Sequence, residues 1–312
     1  MKPEILFAAG EARWRRYEPL LRRALAEAGL AEARIGTDTG PPETVDYIIY
    51  TPDSQVRDFT PYTRLKAVLS LWAGVESVVG NPTLKVPLCR MVDSGLREGM
   101  VEWVTGQVLR HHLDIDRTLA SQNGEWRPRA APLARGRPVT MLGLGELGRA
   151  CAQALAALNF PVTGWSRTAR QVDAITCLHG ATGLEQALAR AAILVLLLPH
   201  TPQTENLLNA ERLRLLPRGA VIVNPGRGSL IDDAALLDAL DSGHVGHATL
   251  DVFRTEPLPP AHPFWAHPHV TVSPHVAAET RPETAAQVVV ENIRRHETGL
   301  PFLYLADRAR GY

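Results

Sequence analysis

The chain alternates short apolar runs with segments whose apolar residues recur at helical spacing. Glu4–Ala9 reads as a strand, and Trp14–Ala28 as a helix closed by Gly29. Asp46–Tyr50, Ala67–Leu71 and Val86–Arg90 read as further strands, of the continuous apolar kind that is buried on both faces. Gly40-Pro41-Pro42 and Asn81-Pro82 mark connections. A long helical stretch is expected from Ser94 to Leu119, with Met100, Val104, Val108 and His111 at helical spacing. Gln122 to Pro138 then changes character, rich in proline, glycine and arginine, and reads as an irregular exposed arm. A second alternating series runs from Val139 to about His275, and Pro282–Glu297 is a last helix, opened by proline and closed before Gly299. Strands alternating with helices imply parallel sheets covered on both faces. The expected architecture is therefore α/β, with two doubly wound parallel-sheet domains.

Composition narrows the class. With 312 residues, 45% of them hydrophobic, the chain suits two domains of about 150 residues each. Its 33 basic and 33 acidic residues balance, which speaks against a nucleic-acid or membrane-surface binder. Cys89, Cys151 and Cys177 are scattered and odd in number, offering neither a disulfide framework nor a CxxC pair. The longest strongly apolar run, Ala191–Leu198, is far short of the about 20 residues that span a bilayer. Charges at Lys2, Glu4, Glu11 and the arginines 13, 15 and 16 leave no signal-peptide core, so a cytoplasmic protein is expected.

The first motif with chemistry is Gly143-Leu144-Gly145-Glu146-Leu147-Gly148. GxGxxG alone is weak, but here it joins the apolar strand Val139–Leu142 to a helix whose stripe is Leu147, Ala150, Cys151, Ala154, Leu155 and Leu158. In that setting Gly143 allows the tight turn, Gly145 lets the backbone approach a pyrophosphate, and Gly148 lets the helix pack closely. The phosphates then meet amide hydrogens at a helix N-terminus. The next strand, Pro161–Trp165, closes on Ser166-Arg167-Thr168, with no carboxylate before Asp173. An NAD enzyme would place an acid there for the ribose hydroxyls, whereas a hydroxyl and a guanidinium suit a 2′-phosphate. NADPH (NADP) is thus the expected dinucleotide, with NADH possible.

Two further strand ends, at Pro199-His200-Thr201-Pro202 and Pro225-Gly226-Arg227-Gly228, belong at the same site, because ligands of open α/β sheets bind outside the carboxyl ends of the strands. Three titratable or charged residues stand at such ends: Arg227, Glu256 and His275. His262, His267 and His269 lie near His275, but the segment is proline-rich, with no cysteine and no acid between Glu256 and Glu279, so no metal site is expected.

The settings of these three are Asn224-Pro225-Gly226-Arg227-Gly228, Leu250-Asp251-Val252-Phe253-Arg254-Thr255-Glu256-Pro257-Leu258-Pro259 and Ser273-Pro274-His275-Val276-Ala277. With them the chain resembles, from end to end, the D-isomer-specific 2-hydroxyacid dehydrogenase family. Trp165-Ser166-Arg167-Thr168, Leu240-Asp241-Ser242-Gly243 and the terminal Asp307-Arg308-Ala309-Arg310-Gly311-Tyr312 are similar to its glyoxylate/hydroxypyruvate reductase A subgroup.

The resemblance implies reduction of a small 2-oxo acid such as glyoxylate or hydroxypyruvate to the 2-hydroxy acid by hydride transfer. It gives Arg227 the substrate carboxylate, His275 the proton donation and Glu256 the orientation of the imidazole. These roles suit a bidentate guanidinium, a group titrating near neutrality and a carboxylate beside it. It implies further cofactor contacts from Leu198, Pro199, His200, Thr204, Pro225, Gly226, Asp251 and His275. Ser70-Leu71-Trp72-Ala73-Gly74 resembles the loop whose amides grip the carboxylate, giving Trp72, Ala73 and Gly74 to substrate binding. Two departures stand out. Trp72 replaces a small residue, and is expected to narrow the pocket toward two- and three-carbon acids; Gly226 stands where alanine is usual, which puts the rigidity of that loop in question. The implied architecture is a Rossmann nucleotide domain, 99–276, inserted in a flavodoxin-like substrate domain, 1–98 plus 277–312, with the active site in the cleft. The arm implies a homodimer. A D-lactate or phosphoglycerate enzyme, or a dinucleotide-sensing regulatory protein on the same fold, remain the alternatives.

Overall fold

The structure is a computed structural model that describes residues 2–311. Met1, and Tyr312 of the C-terminal motif, lie outside the described residues. The chain forms two compact units, Met1–Leu96 with Glu279–Tyr312, and Arg97–Ala278.

The first unit contains β1 (Glu4–Ala8), α1 (Glu11–Glu27), β2 (Arg34–Gly36), β3 (Tyr47–Tyr50), β4 (Ala67–Ser70), α2 (Glu76–Val79) and β5 (Leu88–Cys89). Its sheet runs β2-β1-β3-β4-β5, and every pairing is parallel. Alternation along the strands makes two cores. Ile5, Phe7, Tyr47, Ile49 and Leu69 face one cluster with the buried side of α1, while Ile48, Tyr50, Val68 and Leu88 face another with Val75, Val78 and Leu84. Helix α1 begins before Trp14 because Gly10, at φ 87, turns the chain and its carbonyl accepts from the Trp14 amide. That first turn is polar, so hydrophobic spacing could not register it. Strand β2 was not expected: it is a three-residue edge strand in which only Ile35 is buried.

The second unit follows on from α3 (Ser94–His112), and adds α4 (Ile115–Ala120), β6 (Val139–Leu142), α5 (Glu146–Ala157), β7 (Val162–Ser166), β8 (Thr176–His179), α6 (Gly180–Leu188), β9 (Ile193–Leu196), α7 (Ala210–Leu213), β10 (Ala220–Asn224), α8 (Asp233–Asp241), β11 (Val245–Leu250) and β12 (Val270–Val272). The sheet order is β12-β11-β10-β9-β6-β7-β8, again wholly parallel. The winding reverses between β6 and β9, so the loops leaving these two strands flank the crevice where such sheets bind ligands. Alternate residues again feed two cores, Ile222, Leu194 and Leu196 on one face and Val223, Val195 and Met141 on the other.

The helix expected over Ser94–Leu119 is two helices. Asp114 takes a left-handed conformation at φ 56 and separates α3 from α4, with its carboxylate held by Arg129 at 2.6 Å. No glycine or proline marks the break. Residues 122–133 have no regular structure and are almost wholly exposed, as the arm reading expects. The last helix, α9 (Pro282–Glu297), returns to the first unit, where Ala285, Ala286, Val289, Val290 and Ile293 join the α1 core. Among the described residues no helix is long and apolar enough to cross a membrane.

Candidate active site

The glycine motif lies in the loop between β6 and α5, beside the point where the sheet reverses. Gly143 has φ 109, and a β-carbon there would strike the Leu197 carbonyl of the neighbouring strand end. Gly148 is equally constrained, since its β-carbon would strike the Gly143 carbonyl. The turn is thus wedged between β9 and its own helix. Over Gly145 the space is open, and Gly145 begins the twelve-residue α5 with no side chain capping the helix. Uncapped first-turn amides facing open space suit a pyrophosphate. The helix buries Gly148, Cys151, Ala152 and Leu155, and Leu144 before it is buried too. Leu158, expected on the apolar stripe, is its C-cap and is exposed, since it stands one residue beyond the helix. Glu146, in the first turn, pairs with Arg149, and Leu147 is half-buried.

At the end of β7, Ser166 is buried and its hydroxyl donates to the Thr168 carbonyl at 2.8 Å. That bond folds the strand end back and leaves Arg167 and Thr168 exposed. After β9, Leu198 and Pro199 are half-buried and His200 is exposed. Thr204 ties this loop together, accepting from the Thr201 amide at 2.8 Å and donating to the Pro199 carbonyl at 2.7 Å.

Arg227 leaves the end of β10 through a turn braced by one side chain. Asn224 accepts from the Gly226 amide at 3.1 Å and donates to the Arg227 carbonyl at 2.9 Å. Pro225 and Gly226 are buried, and a β-carbon on Gly226 would come within 2.7 Å of the Leu196 carbonyl. Glycine at 226 is therefore demanded by the close approach of β9, and the turn is pinned. Arg227 is half-buried, and its Nη1 donates to the Gly226 carbonyl at 2.7 Å.

His275 and Glu256 meet at 2.7 Å, Nδ1 to Oε2. The other carboxylate oxygen accepts from the Phe253 amide at 2.8 Å, so Glu256 is fixed at both ends. His275 itself sits at φ 55, a left-handed conformation rare for a non-glycine residue and often found at functional sites. Asp251 holds it there. Its carbonyl accepts from the His275 amide, and its carboxylate accepts from the Ser273 hydroxyl at 2.6 Å, the Val276 amide at 3.0 Å and the Ala277 amide at 2.9 Å. Asp251 has no exposed surface. The resemblance implies that it touches the cofactor; within the protein this buried carboxylate shapes the loop that presents His275.

The hydrogen bond from Glu256 is the chief cause holding the His275 imidazole above its ordinary range, reinforced by the charges of Glu256 and Asp251 and opposed by burial and by Arg227. Burial alone would raise the Glu256 carboxyl, but the bonds from His275 and the Phe253 amide, with the charges of His275 and Arg227, hold it low. Arg227 thus acts electrostatically on both members of the pair. The arrangement offers an imidazole whose charged form is favoured, with Nε2 directed away from its partner and a guanidinium close by, at one edge of a sheet that also carries the glycine turn.

The 70–74 segment belongs to the first unit. Ser70 Oγ accepts from the Trp72 amide at 3.0 Å and donates to the Trp72 carbonyl at 3.1 Å, fixing the backbone, while the indole is 40% exposed. Ala73 and Gly74 are half-buried. Asn224 and Ser273 were not singled out by sequence reasoning; both act through short polar bonds inside loops, and only their position beside Pro225 and Pro274 could have drawn attention. Burial pushes the Cys89 and Cys151 thiols up to about 12, so neither is a nucleophile at neutral pH.

Comparison with known proteins agrees with this geometry. Residues 104–277 match the family model for the D-isomer specific 2-hydroxyacid dehydrogenase, NAD binding domain. A glyoxylate/hydroxypyruvate reductase A of Yersinia enterocolitica is 38% identical over 301 residues, covering 94% of each chain. A D-isomer specific 2-hydroxyacid dehydrogenase from Xanthobacter autotrophicus Py2, solved with NADPH and MES, is 40% identical at a TM-score of 0.92, covering 100% of both chains. The NADPH-dependent glyoxylate/hydroxypyruvate reductase of Sinorhizobium meliloti, solved with NADP and sulfate, is 35% identical at a TM-score of 0.87, also over 100% of both.

Proposed function

The chain belongs to the D-isomer specific 2-hydroxyacid dehydrogenase family, and from that premise we propose that it reduces glyoxylate and hydroxypyruvate to their 2-hydroxy acids with NADPH. The observation that carries this reading is the Glu256–His275 pair at 2.7 Å with the Arg227 charge acting on both, in the same unit as the glycine turn. When bound, the dinucleotide supplies the hydride that the carbonyl carbon receives.

The side chains do the rest. Arg227 takes the substrate carboxylate in bidentate fashion and polarises the adjacent carbonyl. His275 gives the proton from Nε2 to the oxygen as the carbon is reduced, and Glu256 stabilises the imidazolium before that transfer. Because the folded-state pKa of His275 is raised, the charged donor persists to higher pH than in a free imidazole. Reduction is then lost as pH rises through that raised value, not as it falls. Open space over Gly145 admits the pyrophosphate, and the exposed Arg167 with Thr168 receives the 2′-phosphate. Leu198, Pro199, His200 and Pro225 line the cofactor side in the same reading. Ala73 and Gly74 provide amides for the substrate carboxylate, and Trp72 limits the size of the acid. The protein works in the cytoplasm as a homodimer, a state supported by the apolar exposure of Leu119, Trp126 and Leu133, at 61%, 96% and 69%.

The test is oxidation of NADPH and NADH side by side with glyoxylate, hydroxypyruvate, pyruvate and a bulky 2-oxo acid. Faster NADPH turnover with the first two is expected, and Trp72→Gly should gain on the bulky acid. Preference for NADH would remove the role given to Arg167 and leave the triad intact. No turnover by protein that still binds dinucleotide would overturn the enzymatic reading.

A further inference from the structure

Three loops at the carboxyl edge of the second unit's sheet are joined through one side chain, Arg254. Its Nη1 donates to Glu205 Oε1 at 2.6 Å. Its Nη2 donates to the Asn206 side chain, to the Ile231 carbonyl at 2.5 Å and to the Ser229 carbonyl at 3.3 Å. Nε lies 3.7 Å from Asp233 Oδ1. Glu205 and Asn206 belong to the loop after β9, and Ser229 and Ile231 to the turn that follows Arg227. Arg254 itself lies in the loop that ends at Glu256.

The backbone makes the same junction. A β-carbon on Gly228 would strike the backbone of Phe253, so the strand ends carrying Arg227 and Glu256 are in direct contact. The Asn206 amide donates to the Ser229 carbonyl, and the Leu208 amide to the Leu230 carbonyl, which couples the third loop to the second. His200 closes the circuit by reaching the Ser229 hydroxyl and, at 3.4 Å, Glu205.

An exposed ion pair alone would matter little. Here the side chain as a whole is 32% exposed, and the guanidinium donors divide between a carboxylate, an amide side chain and two backbone carbonyls. That division depends on a planar fork, which lysine lacks. Phe253, the residue next to Arg254, presents the amide that fixes Glu256. Loss of the fork therefore frees the loop that presents Glu256 to His275.

We infer that Arg254 is a positioning residue for the reaction: it clamps the loops of Arg227 and Glu256 against the loop after β9, and so keeps Glu256 on His275. This rests on the roles given above to Arg227, Glu256 and His275. The groups acting on His275 are Glu256, Arg227 and Asp251; Arg254 anchors the loops of the first two, and the Glu256 hydrogen bond, the larger effect, sets the sign.

The experiment is NMR titration of the His275 imidazole in the full chain with NADP bound, for the wild type, Arg254→Met and Arg254→Lys, with the pH profile of kcat measured on the same proteins. His275→Ala identifies the signal. In Arg254→Met the His275 titration should move to lower pH, the alkaline limb of kcat should move with it, and kcat should fall about ten- to a hundred-fold, the scale of a small misplacement of a reacting group. Arg254→Lys should shift both in the same direction by less. An unchanged titration and alkaline limb would overturn the inference, even with a lowered melting temperature, since a merely structural arginine would produce that alone. A titration that moves while the kcat limb stays would uphold the positioning and instead remove His275 as proton donor. If Arg254→Met does not fold, Arg254→Lys and Glu205→Gln, which removes one partner, decide the matter by the same two readouts.

Discussion

Strands β11 and β12 carry histidines in two settings that drive the imidazole in opposite directions. Past their carboxyl ends, His275 bonds Glu256 at 2.7 Å and is held above the ordinary range. Further back along the same strands, His247 packs its ring 4.9 Å from that of His111 and 6.4 Å from that of His269. Burial is the main cause that lowers His111 and His247, each to about 4, with nearby positive charge adding to it. Their partners are hydroxyls, Thr249 for His111 at 2.8 Å and Thr271 for His247 at 2.9 Å. A hydroxyl satisfies a neutral imidazole without stabilising its charged form, whereas a carboxylate does both. The difference separates a histidine fit to carry a proton from histidines fit to pack.

The largest effect should come from removing the charged one. His275→Ala is expected to lower kcat for glyoxylate reduction about a hundred- to ten-thousand-fold, the range for a general acid, with NADPH binding retained by fluorescence titration. Turnover within a few-fold of wild type would show that the proton comes from elsewhere. Glu256→Gln removes the feature that distinguishes the two settings and keeps the side-chain shape. It should cost about ten- to a hundred-fold in kcat, as for other residues that orient a histidine. The sign of its pH effect follows from the cause of the shift. With the carboxylate gone, His275 loses its proton at lower pH, so the alkaline limb of the kcat profile must move down. A limb that stays in place would separate Glu256 from the titration of His275.

Much of this was legible in the chain. The glycine turn, the strand ends and the residues Arg227, Glu256 and His275 are marked by runs of apolar residues that stop at distinctive loops, and a parallel sheet aligns those stops on one edge. The proline at its start and the glycine beyond its end also gave α9 its bounds, Pro282–Glu297. Hydrophobic spacing could not give β2, whose three residues bury only Ile35, nor the break at Asp114, where a backbone conformation and a pairing with Arg129 fifteen residues on do what glycine usually does. Asp251 was the harder case. Its part in holding the His275 loop could not be read from the chain, because its partners, Ser273, Val276 and Ala277, are more than twenty residues away. The Gly226 departure was resolved the same way, by the Leu196 carbonyl of a strand that precedes it by some thirty residues.

The smallest effect should come from the packed histidines, and it should fall on stability and not on turnover. In the unfolded chain His111 and His247 titrate near 6.5, while in the folded chain each stays neutral down to about 4. Between those values the unfolded chain binds more protons, so the stability they contribute is present above pH 6.5 and is lost as pH falls toward 4. The melting temperature of the wild type should therefore drop steeply across this window. The double substitution His111→Gln, His247→Gln should lower the melting temperature by a few degrees at pH 7, through lost packing, and flatten the acid decline. Because neither histidine bonds to Glu256, His275 or Asp251 in any bond described above, kcat at pH 7 should stay within about two-fold of wild type, as for independent sites. An acid decline as steep in the double variant as in the wild type would assign the loss to carboxylates. A kcat profile that shifts with the double variant would mean that the two settings are coupled along the strands, and their opposite pKa shifts could then no longer be treated as local.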